Sequence, residues 1–116
     1  MLFALVIEDD PELSTIFSKA LQMVDYEIEC IVDGLVAQTR LQEVVPNVVV
    51  LDMHLPQIQG ADLLNQIRKD DRLSNTKVIV ATADSRIASQ VRDEADLVLL
   101  KPISFRELRD VVRQMQ

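Results

Sequence analysis

The stretch VVVLDMHLPQIQG, residues 48–60, decides the reading of this chain. Four aliphatic residues suited to a dry interior run straight into a carboxylate, Asp52, and then into a segment broken by Pro56 and Gly60. Short, unbroken apolar runs suit strands covered on both faces, as in a parallel sheet. Three more runs share the pattern: LFALVI at 2–7, VIVA at 78–81 and LVLL at 97–100. YEIECIV at 26–32 alternates polar and apolar residues instead, which suits a less buried strand at a sheet edge.

Helical stripes lie between these runs. Leu13, Ile16, Phe17, Ala20, Leu21 and Val24 recur on one helix face, behind Asp10 as the N-cap and Pro11 at the first helical position. Leu35, Ala37, Leu41 and Val44 mark a second helix after Asp33, and Ala61, Leu64 and Ile67 a third after Gly60. The fourth, between Ser85 and Glu94, is the weakest, with only Ile87, Ala88 and Val91 apolar. SFRE at 104–107 reads as a capping box, and opens a fifth helix striped by Phe105, Leu108, Val111, Val112 and Met115. About five strands, each followed by a helix, predict one α/β domain with right-handed crossovers and helices on both faces of the sheet.

The chain's 116 residues and 48% hydrophobic content suffice for one core. Twelve basic residues against 19 acidic ones give a net charge of -7, which argues against a nucleic-acid surface. No apolar run approaches the roughly 18 residues needed to cross a bilayer, and no signal peptide opens the chain. A single cysteine, Cys30, excludes an internal disulfide and fits a reducing cytoplasm; its alternating segment assigns it to packing. Two glycines cannot build a phosphate-cradling loop or a dinucleotide fingerprint.

In sheets of this kind functional groups gather at the carboxyl ends of the strands. The first strand ends in Glu8, Asp9 and Asp10, the third in Asp52, the fourth in Thr82, Ala83 and Asp84, and the fifth in Lys101 and Pro102. Glu8, Asp9 and Asp52 should therefore meet, with a hydroxyl and an ammonium arriving from the other side. Two carboxylates about 5 Å apart repel by about 3 kcal/mol at an effective dielectric near 20. A divalent cation offsets that repulsion, and all-oxygen donors favour Mg²⁺ or Mn²⁺. A carboxylate nucleophile, a hard cation, a lysine and a hydroxyl describe a phosphoryl-transfer site, with Ala83 leaving room for the incoming group. Asp10 is read as a helix cap, and Asp33, Asp84, Asp70 and Asp71 as solvated, along with Lys19, Lys69 and Lys77. The His54 ring is expected to face solvent rather than a metal.

These residues resemble the receiver domain of two-component response regulators, over the whole chain. The acidic pair of that family matches Glu8 and Asp9, its phosphoacceptor Asp52, its loop proline and glycine Pro56 and Gly60, its hydroxyl residue and small neighbour Thr82 and Ala83, and its lysine–proline pair Lys101 and Pro102. The resemblance implies a flavodoxin-like doubly wound (βα)5 three-layer sandwich with strand order 2-1-3-4-5, occupying 1–116 as one receiver domain. It implies that Asp52 accepts a phosphoryl group from a phosphohistidine on a sensor histidine kinase or histidine phosphotransfer protein, docking near Ser14, Ser18 and Ile103. Asp9 would bind Mg²⁺ directly and Glu8 mainly through water, with Asp52 and the His54 backbone carbonyl completing the protein's share. Thr82, Ala83 and Lys101 would hold the phosphoryl group, ahead of a cis Lys101–Pro102 bond. Pro56 and Gly60 would permit loop geometry that a branched residue resists.

Two departures stand out. Val98 occupies the place of the family's usual switch aromatic, and the glycine that commonly precedes the fifth strand is missing from RDEADLVLLKP, 92–102. An atypical, short fourth helix and a different output surface are therefore expected. His54 and Asp84 occupy the positions that tune dephosphorylation in the family. Among other readings, a pseudo-receiver that signals without phosphate would be favoured by a missing acid or lysine, and none is missing. A metal-dependent phosphohydrolase would want an acid where His54 stands, and a flavin phosphate would be repelled by Glu8, Asp9 and Asp10. The expectation is a cytoplasmic signalling switch rather than an enzyme, binding neither nucleic acid nor membrane. Arg106, Arg109 and Arg113 read as a solvated face, with a homodimer contact as the alternative.

Overall fold

A computed structural model of the chain describes residues 2–115; Met1 and Gln116, the ends of the expected domain, lie outside the described residues. Five strands alternate with five helices: β1 (Leu2–Ile7), α1 (Pro11–Gln22), β2 (Tyr26–Ile31), α2 (Gly34–Glu43), β3 (Val48–Asp52), α3 (Gly60–Lys69), β4 (Lys77–Thr82), α4 (Ser85–Val91), β5 (Leu97–Leu100) and α5 (Phe105–Met115). A 3₁₀ turn, Asp71–Leu73, lies between α3 and β4. All strand pairs are parallel, in the order β2-β1-β3-β4-β5. This is the flavodoxin-like sandwich that the resemblance implied.

The sheet separates two cores. Leu5, Val49, Leu51 and Val80 face α2 and α3, packing on Ala37, Leu41, Leu63, Leu64 and Ile67, with Val91 of α4. Ala4, Val6, Val50 and Ile79 face α1 and α5, packing on Phe17, Leu21, Leu108 and Val112. Alternate residues of each central strand thus go to opposite faces, which is why these strands had to be apolar throughout. Every residue of β3 is buried, Asp52 included.

Asp10 caps α1 as expected, its side chain accepting from the Glu12 and Leu13 N–H groups. Ser104 accepts from the Glu107 N–H, one half of the capping box. Three acids read as merely solvated turn out to cap as well: Asp33 accepts from Val36 N–H, Asp84 from Arg86 and Ile87, and Asp70 from Arg72. Lys77 lies 3.9 Å from an Asp96 oxygen. With seven residues, α4 is the shortest of the described α-helices.

Edges account for several corrections. LVLL is not covered on both faces: β5 is the second edge of the sheet, only Leu99 is buried, and Leu100 is half exposed. Cys30 lies exposed on edge strand β2, its Sγ 3.0 Å from Ser18 Oγ, and is not a packing residue. Leu35 and Ala61 are exposed, while Leu63, absent from the expected stripe, is buried.

Candidate functional site

The carboxyl ends of β1, β3, β4 and β5 bring the strand-end residues together. Glu8, one residue beyond β1, is 1% exposed, and Asp52 at the end of β3 is 4% exposed; Asp9 is exposed beside them. One carboxylate oxygen from each of the three lies within 4.8 Å of the others. Lys101 reaches in from the end of β5, its Nζ 2.9 Å from Glu8 Oε1 and 3.3 Å from Asp52 Oδ1.

The backbone fixes these groups. The Glu8 N–H donates to the Ile31 carbonyl, and Lys101 N–H to the Thr82 carbonyl at 2.8 Å. The second oxygen of Glu8 accepts from Asp10 N–H at 3.2 Å, and Asp52 Oδ1 from His54 N–H at 3.3 Å. The peptide bond between Lys101 and Pro102 is cis. Thr82 is fully buried, and its hydroxyl accepts from Asp84 N–H at 3.1 Å. Ala83 next to it is exposed and carries only a methyl group.

Burial pushes the Glu8 carboxyl up to about 7, with the Asp52 charge adding to the rise and the Lys101 ammonium working against it. Burial by itself would lower the Lys101 ammonium, but its bond to Glu8 and the charges of Asp52 and Glu8 hold it above its ordinary value. Both groups are thus shifted upward, which favours the neutral acid at Glu8 and the charged ammonium at Lys101. Three acids against one base leave an excess of negative charge in a largely buried pocket, which a hard cation would relieve.

The loop after Asp52 is clamped by the chain's two glycines. A Cβ on Gly60 would overlap the Asp52 carbonyl oxygen and stand 2.6 Å from Met53 Cα. A Cβ on Gly34 would stand 2.6 Å from both Cβ and carbonyl oxygen of Ile58, and the Gly34 N–H donates to the Pro56 carbonyl. Neither glycine has positive φ; Gln57 does, at 75°. Gly60 is therefore required for closeness of approach and not for unusual dihedral angles. Gly34 was missed in the sequence because its partner segment lies twenty-odd residues away.

The His54 ring is exposed, and Asp84 is held below the usual carboxylate range by the helix N–H groups of Arg86 and Ile87 and by the Arg86 guanidinium. Val98 is half-buried against the α2–α3 side of the sheet. Ser14 is buried, Ser18 and Ile16 half-buried, and Ile103 buried, so the expected docking face shows few of its hydroxyls. Of the three arginines on α5, Arg109 pairs with Asp110 and Arg106 lies over the Phe105 ring.

Comparison with known proteins adds the family. The profile of the response regulator receiver domain matches residues 4–113. The chain is 31% identical over 114 residues to the DNA-binding dual master transcriptional regulator RpaA of Synechocystis, covering 96% of this chain and 47% of that protein. It is 32% identical to the phosphate regulon transcriptional regulatory protein PhoB of Rhizobium meliloti, covering 95% of this chain and 50% of the relative. The chain thus spans about half the length of these curated relatives. Among solved structures, the response regulator TrrA of Thermotoga maritima, in complex with Mg²⁺-BeF, superposes with a TM-score of 0.87 at 29% identity over 100% of both chains. The chemotaxis response regulator CheY4 of Vibrio cholerae gives a TM-score of 0.89 at 21% identity, covering 100% of this chain and 99% of that one, a likeness of fold.

Proposed function

This chain belongs to the response regulator receiver family, and we propose that within it the chain works as a phosphoacceptor switch with Asp52 as the nucleophile. The observation that carries the reading is the convergence of Glu8, Asp9 and Asp52 within 4.8 Å with the Lys101 ammonium 3.3 Å from Asp52. An Asp52 carboxylate oxygen attacks phosphorus, and the bond from phosphorus to the donor's histidine nitrogen breaks, its electron pair leaving with the imidazole. Asp52 becomes an aspartyl phosphate; attack by water later returns carboxylate and inorganic phosphate. The donor would be a sensor histidine kinase or a phosphotransfer protein.

The donor set fits a divalent cation: three carboxylates, all hard oxygen ligands, carry more negative charge than Lys101 alone balances. Asp9, Asp52 and the His54 backbone carbonyl would hold Mg²⁺, or Mn²⁺, with Glu8 beside them. When bound, the cation supplies charge neutralisation for the phosphoryl oxygens. Lys101 donates to one phosphoryl oxygen. Thr82 donates its hydroxyl proton to another; because the same oxygen accepts the Asp84 N–H at the start of α4, drawing it toward the phosphoryl group pulls on that turn. Exposed Ala83 leaves space for this movement. Phosphorylation thereby biases the start of α4 between two arrangements, the switch itself. With Val98 in place of an aromatic, that bias is read out without a swinging ring. His54 and Asp84 govern access of water to the phosphoryl group, although Asp84 is also tied down as the cap of α4.

On this reading 1–116 is one receiver domain, a signalling module that assists its own phosphorylation and dephosphorylation. Among the described residues no helix is long and apolar enough to cross a membrane. A cytoplasmic place is part of the proposal. The test is incubation with acetyl phosphate and Mg²⁺ followed by intact-mass spectrometry. A mass gain of one phosphoryl group is expected in the native chain and not in Asp52→Asn; an unmodified native chain would defeat the reading.

A further inference from the structure

Charge is spread unevenly along the chain. Residues 1–67 hold 11 acids and two bases, Lys19 and Arg40, whereas residues 68–116 hold eight acids and ten bases. The first part builds β1, α1, β2, α2, β3 and α3, so the half of the sheet that ends in β2 carries the excess negative charge. Arg40 is already engaged there by Glu29 and Glu43. Into this acidic side is set a group of bare aliphatic side chains. Val32 is 59% exposed, Leu35 49% and Val36 49%, all within five residues around the turn from β2 into α2. Single exposed aliphatics need no explanation, but three on one turn do. The core does not recruit them, because α2 packs through Gly34, Ala37 and Leu41. We propose that this corner is a docking surface for a basic amphipathic helix of a partner protein. The helix covers Val32, Leu35 and Val36 with its apolar stripe and meets Asp10 and Asp33 with its flanking cations.

The turn is held in shape before any partner arrives, which lowers the entropy lost on binding. Gly34 N–H donates to the Pro56 carbonyl at 3.0 Å, and Asp33 accepts from Val36 N–H at 2.8 Å. Glu8 N–H donates to the Ile31 carbonyl at 3.0 Å, which sets residues 8–10 beside 31–33. Charge selects the partner. Nucleic acid and anionic lipid are repelled by this side of the molecule, and a basic helix is attracted to it. One amphipathic helix offers both the aliphatic stripe and the cations that the corner lacks. A second copy of the chain fits less well, because Arg106, Arg109 and Arg113 on α5 are interleaved with Glu107 and Asp110. Helices α1 and α2 pack on opposite faces of the sheet, so this surface is distinct from the one expected around Ser14, Ser18 and Ile103. It also stands whether or not Asp52 is a phosphoacceptor.

The probe is a synthetic peptide of about 18 residues, long enough to form a helix, with leucines on one face and lysines flanking them. Its counterpart carries glutamate in place of every lysine. In ¹H–¹⁵N spectra of the full chain at about 150 mM salt, the lysine peptide should shift amides centred on 8–10, 32–36 and 56–58, and the glutamate peptide none. Leu35→Gln with Val36→Gln should weaken the lysine peptide about tenfold. Asp33→Ser keeps a capping oxygen and drops the charge, and should cost about threefold. Asp93→Ser with Glu94→Ser removes two acids beyond α4 and should leave the affinity unchanged. Uptake from acetyl phosphate should be the same in Leu35→Gln/Val36→Gln as in the native chain, since neither residue touches the phosphoryl site. If that pair does not fold, Val32→Thr with Leu35→Ser replaces it. Absence of binding, shifts centred elsewhere, equal binding of the glutamate peptide, or an affinity indifferent to Leu35 and Val36 would each overturn the proposal. Self-association of the native chain that Leu35→Gln/Val36→Gln abolishes, measured by sedimentation, would overturn the choice of partner. A native chain that takes up no phosphoryl group would defeat the proposed function alone, because peptide binding is read without it.

Discussion

The two ends of the sheet handle charge in opposite ways. At the amino end, polar groups meet fixed partners of opposite character. Arg68 donates to the Glu94 and Thr76 carbonyls and to Asp96, whose same oxygen accepts from the Val78 N–H at 2.7 Å. Thr76 donates to the Pro46 carbonyl and Asn47 accepts from Phe3 N–H, so each loop is stitched to its strand. At the carboxyl end, three carboxylates crowd together, and the two that are nearly inaccessible to water share one ammonium. The amino end is built for stability, and the carboxyl end tolerates repulsion that chemistry can use.

That contrast can be broken, most severely at Asp52. Asp52→Asn should lower phosphoryl uptake from acetyl phosphate at least a thousandfold, by intact mass, while its thermal midpoint holds or rises because one repulsive charge is gone. A clear loss of stability would place Asp52 among the stabilising groups instead. Gly60→Ala should harm both properties, since the added carbon meets the backbone of Asp52 and Met53. About 3 kcal/mol of destabilisation is expected by denaturant titration, as for overpacking.

Mg²⁺ at a hundred times its dissociation constant should stabilise the native chain by about 2.7 kcal/mol, and Asp9→Asn should abolish the gain. Asp96→Ala should keep that response intact while losing about 1–3 kcal/mol, the price of an unpartnered N–H and guanidinium. If it alters Mg²⁺ binding, the two ends are not independent.

The smallest effect has opposite signs at the two ends, at most about 1.4 kcal/mol per pH unit for one proton. Glu8 is raised from 4.5 to about 7 by burial, so the metal-free folded chain keeps a proton that the unfolded chain releases, and stability falls as pH rises across that window. Glu8→Gln should remove the slope. Asp96 is held below its ordinary 3.8 because bonds from Val78 and Arg68 outweigh its burial. Its contribution is present above 3.8 and is lost as pH falls further, and Asp96→Asn should remove that acid-side loss.

Much of this was legible in the chain. Four apolar runs and one alternating segment located the five strands to within a residue or two; the three central strands had to be apolar because burial on both faces leaves no room for polar residues. The caps of α1 and α5 were visible as short patterns, since they depend on neighbours within four residues. The stripes of α2 and α3 were read less well: Leu35 and Ala61 point outward, and Leu63 inward, because a short amphipathic helix can satisfy two neighbouring phases.

By itself the sequence determined the alternation of strands and helices, and which chemical groups stand at the strand ends. Both follow from local periodicity and from the fact that a buried strand must finish where polar residues resume. Only the tertiary structure decided that β5 is an edge with Leu100 exposed and that Cys30 lies in the open. It also decided that both glycines are there to let one loop come close, and that Glu8 spends its carboxylate on Lys101. Each of these depends on which segments become neighbours, across as many as 93 residues of chain for the pair Glu8 and Lys101. No local pattern carries that information; the order of strands in the sheet does.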